Sequence, residues 1–157
     1  MNQVTRIPEK IVDENDAEMR EFLLRKLGLS QMPAGGRILG FKTDTGPVVG
    51  WLFERYTGPG GAVHTHWAGR KHFFLKRYML TLVAMYVFDQ MKCEVVVGEV
   101  PASDLYVRSA DEKLGFKEVA TIKGYFPGDD LVIYTMTRDA CRFLPDEFKT
   151  QEAEKHG

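Results

Sequence analysis

The chain has 157 residues, 44% of them hydrophobic, with a formal net charge of −1, enough for one ordinary domain with a proper core and too little charge to draw the whole molecule to nucleic acid or membranes. Its two cysteines, Cys93 and Cys141, exclude a disulfide framework and suit a reducing compartment, Cys93 reading as a buried free thiol at the mouth of an apolar strand. Residues 1–10 lack an apolar run of signal-peptide length, and the longest apolar stretch, 79–88, is far below the ~20 residues that cross a bilayer; the chain reads as cytoplasmic and soluble, with one domain over residues 1–144 and a polar tail over 145–157.

Residues 4–7 predict a short opening strand. Over residues 16–27, Met19, Phe22, Leu23 and Leu27 fall at helical spacing, with Asp13 or Asn15 to cap the start and Gly28 to end it. Residues 30–36, with Pro33 and two glycines, are a loop. Three strands follow, at 37–43, 48–56 and 62–68. The turns between them are Asp44-Thr45-Gly46-Pro47 and Thr57-Gly58-Pro59-Gly60-Gly61. Turns this short between β-branched and aromatic runs predict hairpins, hence an antiparallel meander.

Residues 75–91 are apolar on nearly all sides, which predicts a helix buried on a sheet. Residues 94–100 contain the uninterrupted Val95-Val96-Val97, the mark of a central strand covered on both faces. Strand, helix and strand in this order imply a right-handed crossover and a parallel pair. A further helix spans 104–114, with Ser103 as its cap, Val107, Ala110 and Leu114 as its inner stripe, and Gly115 as its left-handed end. The last hairpin pairs 117–126 with 131–138 around Pro127-Gly128-Asp129-Asp130. An exposed final hairpin could join two chains as a homodimer. Beyond Arg142 the chain is polar apart from Phe143-Leu144 and Phe148.

Asp111-Glu112-Lys113-Leu114-Gly115-Phe116, followed by Leu131-Val132-Ile133-Tyr134-Thr135-Met136, resembles the closing segment of GNAT acyltransferases. There Asn-x-x-Ala precedes Tyr-Glu-Lys-Leu-Gly-Phe and two strands follow. Tyr56-Thr57-Gly58-Pro59, His66-Trp67-Ala68 and Cys141-Arg142-Phe143-Leu144 resemble a GNAT subgroup often carried by bacteriophages and prophages. The resemblance covers residues 37–144. It implies a mixed α/β fold with a mostly antiparallel sheet, one splayed parallel strand pair and flanking helices. It also implies an N-acetyltransferase-like protein that moves an acyl group from acetyl-CoA to an amine of a small molecule or protein. The splayed strands would be 62–68 and 94–100, holding the pantetheine arm as an added strand. Gly98 lies near that opening, there either for close approach of another backbone or as a packing glycine under a helix.

GNAT folds bind the pyrophosphate with a glycine loop before the long helix, commonly Arg-x-x-Gly-x-Gly or Ala, whose amides meet the phosphates. The corresponding His72-Phe73-Phe74-Leu75-Lys76-Arg77 has no glycine. Arg70, Lys71, His72, Lys76 and Arg77 crowd the helix start instead. Cations there oppose the helix dipole at a cost on the order of 0.3–1 kcal/mol each, and a bound anion reverses the sign. The cluster is an anion site for coenzyme A, a solvated basic loop, or a patch for RNA or an acidic partner. The resemblance adds His66, Trp67, Leu75 and Asp104 to the cofactor-binding set, Asp104 standing in the usual asparagine position.

Acyl transfer to an amine needs a neutral amine, a donor for the oxyanion and a proton for the leaving thiolate. Asp111 occupies the position of the GNAT tyrosine acid, and an ionised aspartate donates no proton at neutral pH unless burial raises its pKa strongly. Tyr106 lies about 140° round the helix and does not substitute for it. His64 and His66 alternate with Thr65 and share one strand face. His66, nearer the expected splay and matching the phage subgroup, is the candidate base; a hydrogen-bonded structural histidine is the alternative. As a metal site His64-Thr65-His66 lacks an identifiable third ligand, and no metal is expected. Glu99 and Tyr125 are candidates for the rim. The absent glycines and tyrosine leave a second class open, a phage-encoded GNAT-fold protein that has lost catalysis and serves as a binding or structural module. A third is a small nucleic-acid-binding protein using residues 70–77.

Overall fold

The computed structural model describes residues 9–149, so the strand expected at 4–7 lies outside the described residues. The chain divides into two units. One takes in the residues up to Glu54 together with His66–Leu75, the other Arg55–Thr65 together with the residues from Lys76 on.

The first unit holds β1 (Lys10–Asp13), α1 (Ala17–Leu27), β2 (Arg37–Thr43), β3 (Gly46–Glu54) and the end of β4 (Ala62–Gly69). β1 was not anticipated; it pairs antiparallel with β2 from Lys10↔Lys42 to Asp13↔Leu39. β2 and β3 form the first hairpin, from Arg37↔Phe53 to Thr43↔Gly46, with a register shift between Phe41 and Lys42. That shift takes Gly46 and Pro47 into the strand and leaves Asp44-Thr45 as the turn. β3 therefore starts and ends two residues before the expected 48–56.

Asp16, not Asp13 or Asn15, caps α1. Its carboxylate accepts the Met19 N–H at 2.8 Å, the three-residue reach of an N-cap. Asp13 instead accepts the Asn15 N–H at 2.9 Å. Gly28 closes the helix at φ 71° as expected. Met19, Phe22 and Leu23 pack with Ile38 and Leu52. Gly40 and Gly50 face each other in register across β2 and β3, and the Met19 side chain fills the trough they leave. A Cβ on Gly40 would stand 2.6 Å from Met19 Cε, and one on Gly50 2.9 Å from Met19 Sδ. Missing side chains on the strands thus let the helix sit down onto the sheet.

The second unit holds the start of β4, α2 (Arg77–Met85), β5 (Val95–Pro101), α3 (Leu105–Leu114), β6 (Lys117–Phe126), β7 (Asp129–Thr137) and a short 3-10 turn at Asp146–Phe148. The helix expected over 75–91 starts at Arg77 and passes into a π-helical turn, Tyr86–Gln90, so Leu75 lies outside it. β4 and β5 are parallel, while β5–β7 and β6–β7 are antiparallel. Pro127-Gly128 alone form the last turn, with Gly128 at φ 77°, so β7 begins at Asp129 rather than at 131.

Asp104, not Ser103, caps α3, its carboxylate accepting the Val107 N–H at 3.2 Å. Ser103 lies one residue too early and donates its hydroxyl to Asp129 at 2.5 Å. Gly115 ends the helix at φ 107°. Val107, Ala110 and Leu114 are only half-buried, and the residue turned furthest inward is Asp111. With β4 contributing to both units, the strands run β1-β2-β3-β4-β5-β7-β6. The result is the expected class, a mostly antiparallel mixed sheet with one parallel pair.

Candidate functional site

The parallel pair positions the main constellation of the second unit. Its ladder runs from Ala62↔Val95 to His64↔Val97; β4 continues to Gly69 and β5 to Pro101. Glu99 lies two residues beyond Val97, hence on the strand face that His64 shares. The two side chains meet there, with His64 Nδ1 2.6 Å from Glu99 Oε1. Arg55 donates its Nη2–H to the same oxygen at 2.8 Å. Arg55 reaches it from a left-handed backbone at φ 53°, a conformation that costs a residue with a Cβ roughly 1–2 kcal/mol.

Lys76 occupies the cap position of α2 without a side-chain cap bond, and no acidic residue stands in the first turn. The positive end of the helix dipole therefore coincides with two cations, Lys76 and Arg77. The Arg77 guanidinium lies 5.5 Å from the Phe143 ring, and Arg142 lies 5.0 Å from the same ring. Arg142 also donates to the Lys113 carbonyl. Phe143 thus gathers a second guanidinium, absent from the expected site, beside the one at the helix start.

Asp104 is committed to capping α3, and Asp111 is 5% exposed. Asp111 Oδ2 lies 3.8 Å from where a Cβ on Gly98 would stand. That is ordinary van der Waals contact, so the Asp111 carboxylate packs beside β5 without needing a glycine at 98. Tyr134, paired in register with Gly98, is fully buried. Its hydroxyl accepts from Arg108 Nε and donates to Glu112 Oε1, both at 3.1 Å, and burial raises its pKa. Its proton is engaged internally.

The remaining expected residues belong to the first unit. His66 Nε2 stands 3.5 Å from Glu54 Oε1. The Trp67 ring meets Phe73 edge-on at 6.1 Å between centroids, and the Phe73 ring lies directly over Gly69. Arg70 donates its side chain to Thr45 Oγ1 at 3.0 Å and its amide to the Val48 carbonyl at 2.9 Å. Lys71 is exposed and Leu75 half-buried. His72 adopts φ 62°. So Arg70 is tied down by β3 and the turn before it.

Glu99 was anticipated only at the rim and Arg55 not at all. Glu99's partnership had one signal, the same-face spacing of a parallel pair, and that becomes legible only once the register is known. Among the described residues no group of three or more His, Cys, Asp or Glu side chains could hold a metal, and no helix is long and apolar enough to cross a membrane.

Neither a family model nor a curated protein matches the sequence. Solved structures do. The spermidine/spermine N-acetyltransferase SpeG from Vibrio cholerae is 9% identical, the match covering 84% of this chain and 94% of that one with a TM-score of 0.67. A GNAT-family protein from Desulfovibrio desulfuricans is 18% identical, with 82% and 99% covered and a TM-score of 0.62. In a third match, to an acetyltransferase structure at 15% identity and a TM-score of 0.61, 78% of this chain is covered, and the chain spans 65% of the other's length. Identities this low carry the fold alone. The chain has the fold of the GNAT acetyltransferases.

Proposed function

We propose that the chain is an N-acyltransferase that moves the acetyl group of acetyl-CoA to an amine. The start of α2 carries this reading: a helix N-terminus bearing Lys76 and Arg77, with no acid in its first turn, suits an anion such as the coenzyme A pyrophosphate. Acetyl-CoA would supply the activated thioester. Lys76 and Arg77 would hold the phosphates by charge in place of a glycine loop, and His64 in the same unit would supply the imidazole. Two copies would pair through β6, the exposed outer strand of the last hairpin, in the cytoplasm of a bacterium or a phage-infected host.

Isothermal calorimetry with acetyl-CoA at neutral pH tests this reading. Binding is expected, and Lys76→Ala with Arg77→Ala should weaken it by about tenfold or more, the worth of one to two charge-assisted contacts. Unchanged affinity removes the anion-site argument, and no binding by the unaltered chain ends the reading. Polyamines are the first acceptors to try, because the Vibrio cholerae protein with this fold is named for them.

One observation favours a second reading. The Phe73 ring occupies the space over Gly69, in a segment where GNAT enzymes carry glycines. A fold that has lost its cofactor, and serves as a phage-encoded binding or structural module, would give no calorimetric signal with acetyl-CoA.

A further inference from the structure

We propose that His64, positioned by Glu99 and Arg55, is the group that takes up the proton released by the acceptor ammonium. This rests on the acyltransferase reading and assigns the base within it.

The assignment follows from which ring nitrogen is engaged. An ionised carboxylate only accepts hydrogen bonds. The 2.6 Å contact between His64 Nδ1 and Glu99 Oε1 therefore places the proton of the neutral ring on Nδ1. Nε2 is left with its lone pair, the tautomer a proton acceptor requires. Among the described residues, Glu99 is the hydrogen-bond partner of His64, and it is engaged through Nδ1. The side chains of His64 and Glu99 are 23% and 17% exposed, shielded yet within reach of solvent. Arg55 Nη2 donates to the same Glu99 oxygen at 2.8 Å, a second, charge-assisted bond that holds the carboxylate in place. Arg55 and Glu99 are positioning residues; His64 alone would meet the substrate.

His66 differs in the nitrogen it turns inward. Its Nε2, not Nδ1, faces Glu54, at the longer distance of 3.5 Å. Of the two imidazoles, only that of His64 has a close carboxylate at Nδ1. The step is a proton transfer and nothing else. A primary ammonium gives H⁺ to His64 Nε2 and becomes a neutral amine with a free electron pair. The imidazole becomes an imidazolium whose Nδ1–H still bonds Glu99.

Two measurements on the full chain test this. In ¹⁵N–¹H correlation spectra of the labelled protein at a pH where the ring is neutral, His64 should show a protonated Nδ1 and a bare Nε2. In Glu99→Ala, and in the milder Glu99→Gln should the first not fold, the ring should shift toward the Nε2–H tautomer. A wild-type ring already protonated on Nε2 overturns the proposal. Independently, acetylation of a polyamine panel should fall roughly a hundredfold or more in His64→Gln, with acetyl-CoA affinity by calorimetry unchanged. Retained turnover in His64→Gln overturns the assignment while leaving the acyltransferase reading intact. Failure of the unaltered chain to bind acetyl-CoA overturns both.

Discussion

The carboxylate of Asp111 sits over Gly98, its Oδ2 3.8 Å from where a Cβ on that glycine would stand. That distance is ordinary van der Waals contact, so alanine fits without moving the helix. Gly98→Ala should keep stability within about 1 kcal/mol in urea denaturation, since alanine also suits a strand interior better than glycine. A larger loss would show that the α3–β5 packing is tighter than this contact indicates. If stability holds while acetyl-CoA affinity collapses, the glycine serves the approach of a ligand backbone.

Gly40→Ala should behave oppositely. Its new methyl would stand 2.6–2.8 Å from three atoms of Met19, which has no exposed surface. Overpacking of this kind costs typically 1–3 kcal/mol. Met19→Ala in the same background should recover part of the loss, because it removes the clashing atoms. A neutral Gly40→Ala would disprove the close seating of α1.

Asp16 makes stability acid-sensitive in a defined direction. Its acceptance of the Met19 N–H lowers its pKa below the ordinary 3.8, with the Lys42 ammonium acting the same way. A lowered folded-state pKa contributes stability above the unfolded value, and that contribution is lost as pH falls through the folded one. Asp16→Ala should cost about 1 kcal/mol at pH 7. The gap between mutant and parent in denaturant melts should narrow as pH drops below 3.8. A gap that is constant with pH would mean that the charged cap is not what holds the helix start.

Both cysteines should be silent toward thiol reagents in the folded protein. Burial pushes the Cys93 thiol up to about 11, against a smaller opposing pull from Arg138. Its side chain has no exposed surface, and Cys141 is also buried. Since the thiolate is the reactive form, a colorimetric thiol assay at pH 8 should detect no free thiol until denaturant is added, and then two per chain. Rapid reaction in the native state would contradict this burial.

Much of the framework was legible because its determinants are local. Gly28 and Gly115 are predicted to end their helices, and both do so with a left-handed backbone; the last hairpin turns at Pro127-Gly128, inside the expected turn of 127–130. The errors were also local and small. Asp16 and Asp104 cap the helices where Asp13 or Asn15 and Ser103 were expected, because several acceptors crowd each start and only backbone geometry selects one. β1 escaped notice because Lys10–Asp13 is a four-residue strand, exposed save for one partly covered position, and only its pairing with β2 marks it.

The sequence by itself determined the order of the elements from α1 onward and the parallel pairing of β4 with β5, since these depend on side-chain periods of 2 and 3.6 residues and on single glycines. The tertiary structure alone decided which imidazole has a close carboxylate at its Nδ1. His64 and Glu99 are 35 residues apart in the chain, and Asp111 meets Gly98 from another element. Strand register and helix seating are cooperative outcomes of packing the whole sheet, and no local pattern encodes them.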